Sequence, residues 1–151
     1  MDFSRSFAIS TAGMAAERTR VEVAALNLAN ANTMQTGAVG GYQPLRVVMR
    51  STAAPVDFAT QVAVGETASA ASGLPLPEAD IEPSGMPARQ VYDPTNPFAD
   101  GQGNVAYPAV DTATEMVDMM GAVRAYESNV AAMNTAKTLA LKALEIGGTS
   151  S

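Results

Sequence analysis

The sequence contains no cysteine, no histidine and no tryptophan, and only 5% of its residues are aromatic. Without cysteine there is no disulfide framework and no thiolate metal site, so the chain suits any redox compartment. Without histidine it lacks the commonest general base, the usual serine and cysteine triads, and most transition-metal ligand sets. Positive charge is scarce as well: 9 Lys and Arg stand against 15 Asp and Glu, a formal charge of −6. Nucleic-acid binders rest on basic residues facing phosphates, so that balance argues against one. The opening "MDFSRSFAIS" has no cationic segment followed by an apolar run, and is not a cleavable secretory signal. No uninterrupted stretch approaches the roughly eighteen apolar residues a membrane span needs, so no direct membrane insertion is expected.

What is present is 151 residues, enough for one ordinary domain. The apolar content is 47%, but most of it is alanine, valine and methionine, which bury little area each and promise only a thin core. From about Phe3 to Ala31 no proline interrupts, and Phe7, Met14, Val21 and Leu28 recur every seven residues. A second row, Ile9, Ala12, Ala16, Val23 and Leu26, runs beside it, with Glu17, Arg18, Arg20 and Glu22 on the remaining surface. Two apolar stripes flanking a narrow charged strip predict a helix needing partners on more than one side.

A second helix is predicted from about Val110 to Ile146. Met116, Val123, Val130 and Leu144 fall on one heptad position, interrupted by Lys137, while Met119, Tyr126, Met133 and Ala140 fall on the complementary one. A seam sustained over four heptads reads as coiled coil. Asp111, Glu115 and Asp118 crowd the start, where the helix dipole favours anions, and Lys137 and Lys142 lie towards the end.

Residues 37 to 109 hold all nine prolines. Short β-like runs occur at "LRVVMRS" (45–51), "VDFATQVAV" (56–64) and "ARQVYD" (88–93). Between them lie the low-complexity "ETASAASG" and the extended or turn-rich "LPLPEADIEPSGMP". The fold class is therefore mainly α, with long N- and C-terminal helices forming a coiled-coil-like pair around a small β-rich insertion. The divisions are an N-terminal helix over 1–36, the insertion over 37–109 and a C-terminal helix over 110–151.

Where the first helix ends, "LNLANANT" places Asn27, Asn30 and Asn32 close together. Asparagine is a poor helix-interior residue, yet it tolerates the left-handed conformation in which helices stop. A C-terminus is expected there, with the glycines at 37, 40 and 41 just beyond.

Candidate chemistry is thin. Asp111, Glu115 and Asp118 share one helical face, but no histidine or second acidic helix faces them, and they read as a solvated first turn. "GQGNVA" (101–106) matches a dinucleotide fingerprint formally, yet Tyr107-Pro108 follows where a helix must begin. "DPTNPFADG" (93–101) has prolines where a calcium loop needs ligands, and reads as a rigid turn. No cofactor, metal or catalytic residue is expected.

"ISTAGMAAERTRVEV" followed by "AALNLANANT" resembles the N-terminal signature of the bacterial flagellar axial proteins of rod, hook and hook–filament junction. The block from Val91 to Gly147, "VYDPTNPFADGQGNVAYPAVDTATEMVDMMGAVRAYESNVAAMNTAKTLALKALEIG", narrows the resemblance to proximal-rod members of that family. The resemblance implies a structural subunit, exported by the flagellar type III apparatus without a cleaved signal. It would join the basal-body rod in the periplasm, beside further copies and neighbours of the FlgB, FlgF, FlgG and FliE types. The stripes imply coupled folding and assembly, through Phe7, Met14, Val21, Leu28, Asn27, Asn30 and Asn32 on one helix. On the other stand Met116, Met119, Val123, Tyr126, Val130, Met133 and Leu144. The rival readings are another secreted helical polymer and an enzyme using the carboxylates of residues 111–118.

Overall fold

A computed structural model describes residues 3–34, 41–51 and 76–148. The predicted strand at 56–64 and the "ETASAASG" stretch lie outside the described residues. Element order is α1 (Phe3–Asn30), β1 (Leu45–Ser51), β2 (Pro77–Pro83), β3 (Arg89–Tyr92), β4 (Asn104–Tyr107) and α2 (Thr112–Gly148). The described chain is thus two terminal helices with small sheets between them.

α1 runs for 28 residues, uninterrupted because it contains no proline. Its end departs from the sequence expectation. Among the described residues positive φ is confined to Gly85 and Gly103, so no asparagine adopts the left-handed conformation. Instead the backbone tightens: the Ala31 N–H donates to the Leu28 carbonyl at 3.3 Å and the Thr33 N–H to the Asn30 carbonyl at 3.0 Å. The Asn30 side chain donates from Nδ2 to the Leu26 carbonyl at 2.9 Å, and its Oδ1 accepts from the Thr33 hydroxyl at 3.3 Å. The asparagine occupies an orphan carbonyl of the last turn, which a left-handed residue would otherwise serve.

α2 is 37 residues long, about 55 Å at 1.5 Å per residue. Asp111 starts it as an N-cap. Its Oδ1 accepts from the Ala113 N–H at 3.1 Å and its Oδ2 from the Thr114 hydroxyl at 2.8 Å.

The strands form two two-stranded sheets, β1 with β2 and β3 with β4. Beside the first, the Ser84 N–H donates to the Pro44 carbonyl at 2.7 Å, and Arg46 pairs with Glu82 at 3.1 Å. β2 falls in the proline-rich stretch read as extended or turn-rich; its prolines sit at the strand's two ends, where a missing N–H is tolerated. β3 and β4 are antiparallel, with Arg89 opposite Tyr107 and Tyr92 opposite Asn104, and Arg89 stacks its guanidinium over the Tyr107 ring at 5.8 Å. The sequence reading did not foresee β4.

The loop joining β3 to β4 is the rigid turn its sequence predicts. Asp93 Oδ1 accepts from the Thr95 hydroxyl at 2.8 Å and the Thr95 N–H at 3.3 Å. Asn96 Oδ1 accepts from the Phe98 N–H at 3.0 Å, and Asp100 Oδ1 accepts from the N–H groups of Gln102 and Asn104 at 2.8 and 2.9 Å. These short side chains close the backbone on itself. Gly103, at φ +80°, packs so near Tyr92 that a Cβ would lie 3.1 Å from its ring.

Contacts divide the chain into two compact units. One comprises the described residues of 18–48 and 80–124; the other, those of 1–17, 49–79 and 125–151. In the first, the buried apolar residues are Val23, Ala24, Ala31, Pro44, Val105, Pro108 and Ala122; in the second, Ala16. Half of these are alanine, so the covered area is small, as composition suggests. In the second unit α1 and α2 approach closely at Gly13, where a Cβ would stand 2.9 Å from Asn129 Nδ2.

Candidate functional site

The most constrained point in the unit of residues 18–48 and 80–124 is a polar one. Asn27 is 1% exposed, at the buried edge of α1 between Val23, Ala24 and Ala31. Its Nδ2 donates to the Leu45 carbonyl and to Glu115 Oε1, both at 2.8 Å. Its Oδ1 accepts from the Tyr42 hydroxyl at 2.8 Å and the Leu45 N–H at 2.9 Å. An amide offers two donors and two acceptor positions, and all four are filled. A fully satisfied buried amide fixes geometry, whereas a half-satisfied one destabilises. Asn27 therefore ties the last turns of α1 to the entry of β1 and the first turn of α2.

Glu115 carries the charge in this cluster. Burial pushes its pKa up; the bond from Asn27 opposes that rise, and the charges of Asp118 and Asp111 add to it. Burial also raises the Tyr42 hydroxyl pKa, with the Glu115 charge adding to the effect. Asp111 moves the other way, held low by its bonds to Thr114 and Ala113. Of the three acids predicted to share a solvated face, one is thus a cap and one a partner of a buried amide. Among the described residues no group of three or more His, Cys, Asp or Glu stands ready to hold a metal. Nor is any described helix long and apolar enough to cross a membrane. The cluster positions backbone and side chains.

The remaining singled-out residues are placed as follows. On α1, Phe7, Met14, Val21 and Leu28 are half-buried, Asn30 is half-buried and Asn32 is exposed. On α2, Met119, Val130 and Met133 are half-buried, whereas Met116 (55% exposed), Val123, Tyr126 and Leu144 (72%) are exposed. The covered positions of α2 also include Glu115, Ala122, Asn129, Ala136 and Ala140. Relative to the predicted first row (116, 123, 130, 144), coverage falls one residue earlier, on small or polar side chains. The large apolar side chains at 116, 123 and 144 are left outward, accompanied by Val117, Met120, Leu139, Leu141 and Ile146.

Sequence reasoning grouped Asn27 with the helix end and did not see its partners. One signal was legible: Asn27 interrupts the stripe Ala16, Val23, Ala24, Ala31 at helical spacing, where a lone amide must find partners from outside its own helix.

Comparison with known proteins agrees with the resemblance carried by the terminal blocks. Residues 102–146 match the family model "Flagellar basal body rod FlgEFG protein C-terminal". The flagellar basal-body rod protein FlgC of Salmonella typhimurium (strain LT2) is 40% identical over 141 residues, covering 93% of this chain and 95% of that protein. FlgC of Escherichia coli O157:H7 is 39% identical over 142 residues, with the same coverages. FlgC of Bacillus subtilis (strain 168) is 34% identical over 146 residues, covering 94% and 96%. Identity at this level over nearly the full length of both chains shows the relationship: this chain belongs to the FlgC family of flagellar basal-body rod proteins.

Proposed function

We propose that this structural subunit of the flagellar basal-body rod assembles by coupled folding, its terminal helices completing their burial only against neighbouring subunits. The observation that carries the reading is the outward row on α2, where Met116, Val123 and Leu144 all stand exposed. A lone chain gains nothing from apolar side chains in water, whereas covering them returns roughly 25 cal/mol per Å². Ordering the ends costs on the order of 1–2 kcal/mol per residue in backbone entropy, which the thin alanine core opposes weakly. The ends of a free subunit are accordingly loose, which suits export through a narrow type III channel. In the rod, residues 1–36 and 110–151 pair as a coiled-coil-like axial core and 37–109 form an outlying arm. The neighbours are further copies and rod proteins of the FlgB, FlgF, FlgG and FliE types. In support, α1 and α2 touch within each unit, at Gly13 and Asn129 in one and at Asn27 and Glu115 in the other.

The interface set is that of the sequence reading: Phe7, Met14, Val21, Leu28, Asn30 and Asn32 on α1. From α2 come Met116, Met119, Val123, Tyr126, Val130, Met133 and Leu144. Asn27 serves it indirectly, since its own amide is engaged within the chain. Carrying M116D and V123D together in cells tests the proposal. The free chain keeps its wild-type circular dichroism, because both positions already face water, while rods and motility are lost. Normal motility with the doubly substituted chain in the rod would overturn it.

A further inference from the structure

Lys137 breaks the apolar heptad of α2, and a cavity lies beside the first turns of the same helix. The cavity, about 190 Å³, lies within the unit of residues 18–48 and 80–124. Val23, Ala24, Leu45 and Val47 are its apolar lining, and Glu115 and Asp118 line it as well. Arg20 and Arg46 also border it, but Arg46 is paired with Glu82 and Arg20 has interactions of its own.

We infer that this cavity receives the Lys137–Leu141–Leu144 face of α2 from a second copy of the chain. The inference rests on the rod reading above and names the contact it uses. Positions 137, 141 and 144 are spaced four and three apart, so they lie on one side of the helix. Leu144 is 72% exposed and Leu141 52% exposed, and one leucine side chain is of the size the cavity admits. Charge fixes the direction. α2 begins with Asp111, Glu115 and Asp118; towards its end Lys142 is paired with Glu145 at 3.6 Å, and Lys137 stands about one and a half turns earlier. At 1.5 Å per residue Asp118 and Lys137 of one helix are about 28 Å apart, beyond the screening length of about 8 Å at physiological salt. Asp118 and Lys137 of one α2 therefore do not neutralise each other, but Lys137 of one copy complements Asp118 in the cavity lining of the next. Lys137 then meets Asp118 while Leu141 and Leu144 cover Val23, Ala24, Leu45 and Val47. A contact between two different surfaces of the same chain is heterologous and propagates, as a helical rod requires. It also accounts for a lysine in an otherwise apolar row.

The absence of cysteine makes the test direct. V47C and L144C are introduced together in the full-length chain, produced in cells lacking the wild-type copy, and basal bodies are isolated under mild oxidation. A ladder of dimers and higher species is expected, and only dimers when each cysteine is carried by a differently tagged chain. In parallel, D118K and K137E singly lower incorporation into basal bodies at least several-fold, and the charge-swapped double restores it. Basal bodies that contain the V47C/L144C chain without cross-links, cross-links only to a different protein, or a swap that fails to restore incorporation would each overturn this contact while leaving the rod reading standing. Absence of the wild-type chain from basal bodies would overturn both.

Discussion

Replacing Asn27 by aspartate tests the cluster without changing its shape. One carboxylate oxygen keeps the place of Oδ1, still accepting from the Tyr42 hydroxyl and the Leu45 N–H. The other replaces the Nδ2 donor and is left facing two acceptors, the Leu45 carbonyl and Glu115 Oε1, each 2.8 Å away in the native chain. Two ionised carboxylates at that separation repel by about 6 kcal/mol at an effective dielectric constant of 20. The pair relieves this by sharing a proton. Holding one at pH 7 on groups that normally titrate near 4 costs about 4 kcal/mol, at about 1.4 kcal/mol per pH unit. The lost bond to the Leu45 carbonyl adds about 1 kcal/mol. The substitution thus destabilises by about 5 kcal/mol at pH 7 and about 2 kcal/mol at pH 5. The sign follows from linkage: the folded chain raises the carboxyl pKa, so stability is present at low pH and lost as pH rises through the shared value. Protection of the Leu45 amide against hydrogen exchange reads the cluster directly, with urea unfolding followed by circular dichroism beside it. Adding E115Q to N27D supplies an amide donor to the introduced carboxylate and recovers about half of the loss at pH 7, by analogy with other charge-assisted bonds. A loss below about 1 kcal/mol, or one equal at pH 7 and pH 5, refutes the reasoning.

Four further outcomes are expected. E115Q alone preserves or raises stability at pH 7, because the amide oxygen still accepts from Asn27 while the partly buried charge is removed; the difference from wild type closes on acidification, as chemical denaturation at pH 7 and pH 4 will show. N27A, by contrast, strips partners from four groups at once and lowers stability by about 3–5 kcal/mol, measured the same way. G13A stays within about 1 kcal/mol of wild type, since the helix propensity gained offsets the crowding of Asn129; in the N129A background the same change stabilises by about 0.5–1 kcal/mol. Asp93, Asp100 and Asp111 are all held below the ordinary carboxylate range by hydrogen bonds to their loops or helix start. Their contributions are therefore complete above the unfolded value and vanish as pH falls, so amides of the 93–104 loop lose exchange protection in acid.

The helices were legible because periodicity and the lack of proline are local properties. α1 and α2 end within about two residues of the expected limits. β1 and β3 were legible from β-branched and aromatic runs. β4 was not: "NVAY" is too short to announce a strand, and its pairing with β3 is set by the loop that precedes it. The asparagines show where local reasoning stops. Asn30 behaves as a helix-end residue, by a side-chain route rather than a left-handed one. Asn27 obeys partners 15 to 88 residues away, and no pattern within α1 names them. The heptad of α2 was readable as apolar spacing, but which rows a single chain covers depends on small residues such as Ala122, which let another element approach.

The bond between Asn27 and Glu115 spans 88 positions of the chain, which bears on when the structure can form. Joining points so far apart costs roughly 4 kcal/mol of loop-closure entropy. A polypeptide leaving a narrow conduit amino end first cannot tie this fastening until about three-quarters of it has emerged. Timing is thereby written into the topology: a chain that emerged in this order would stay threadable until Glu115 was free to meet Asn27.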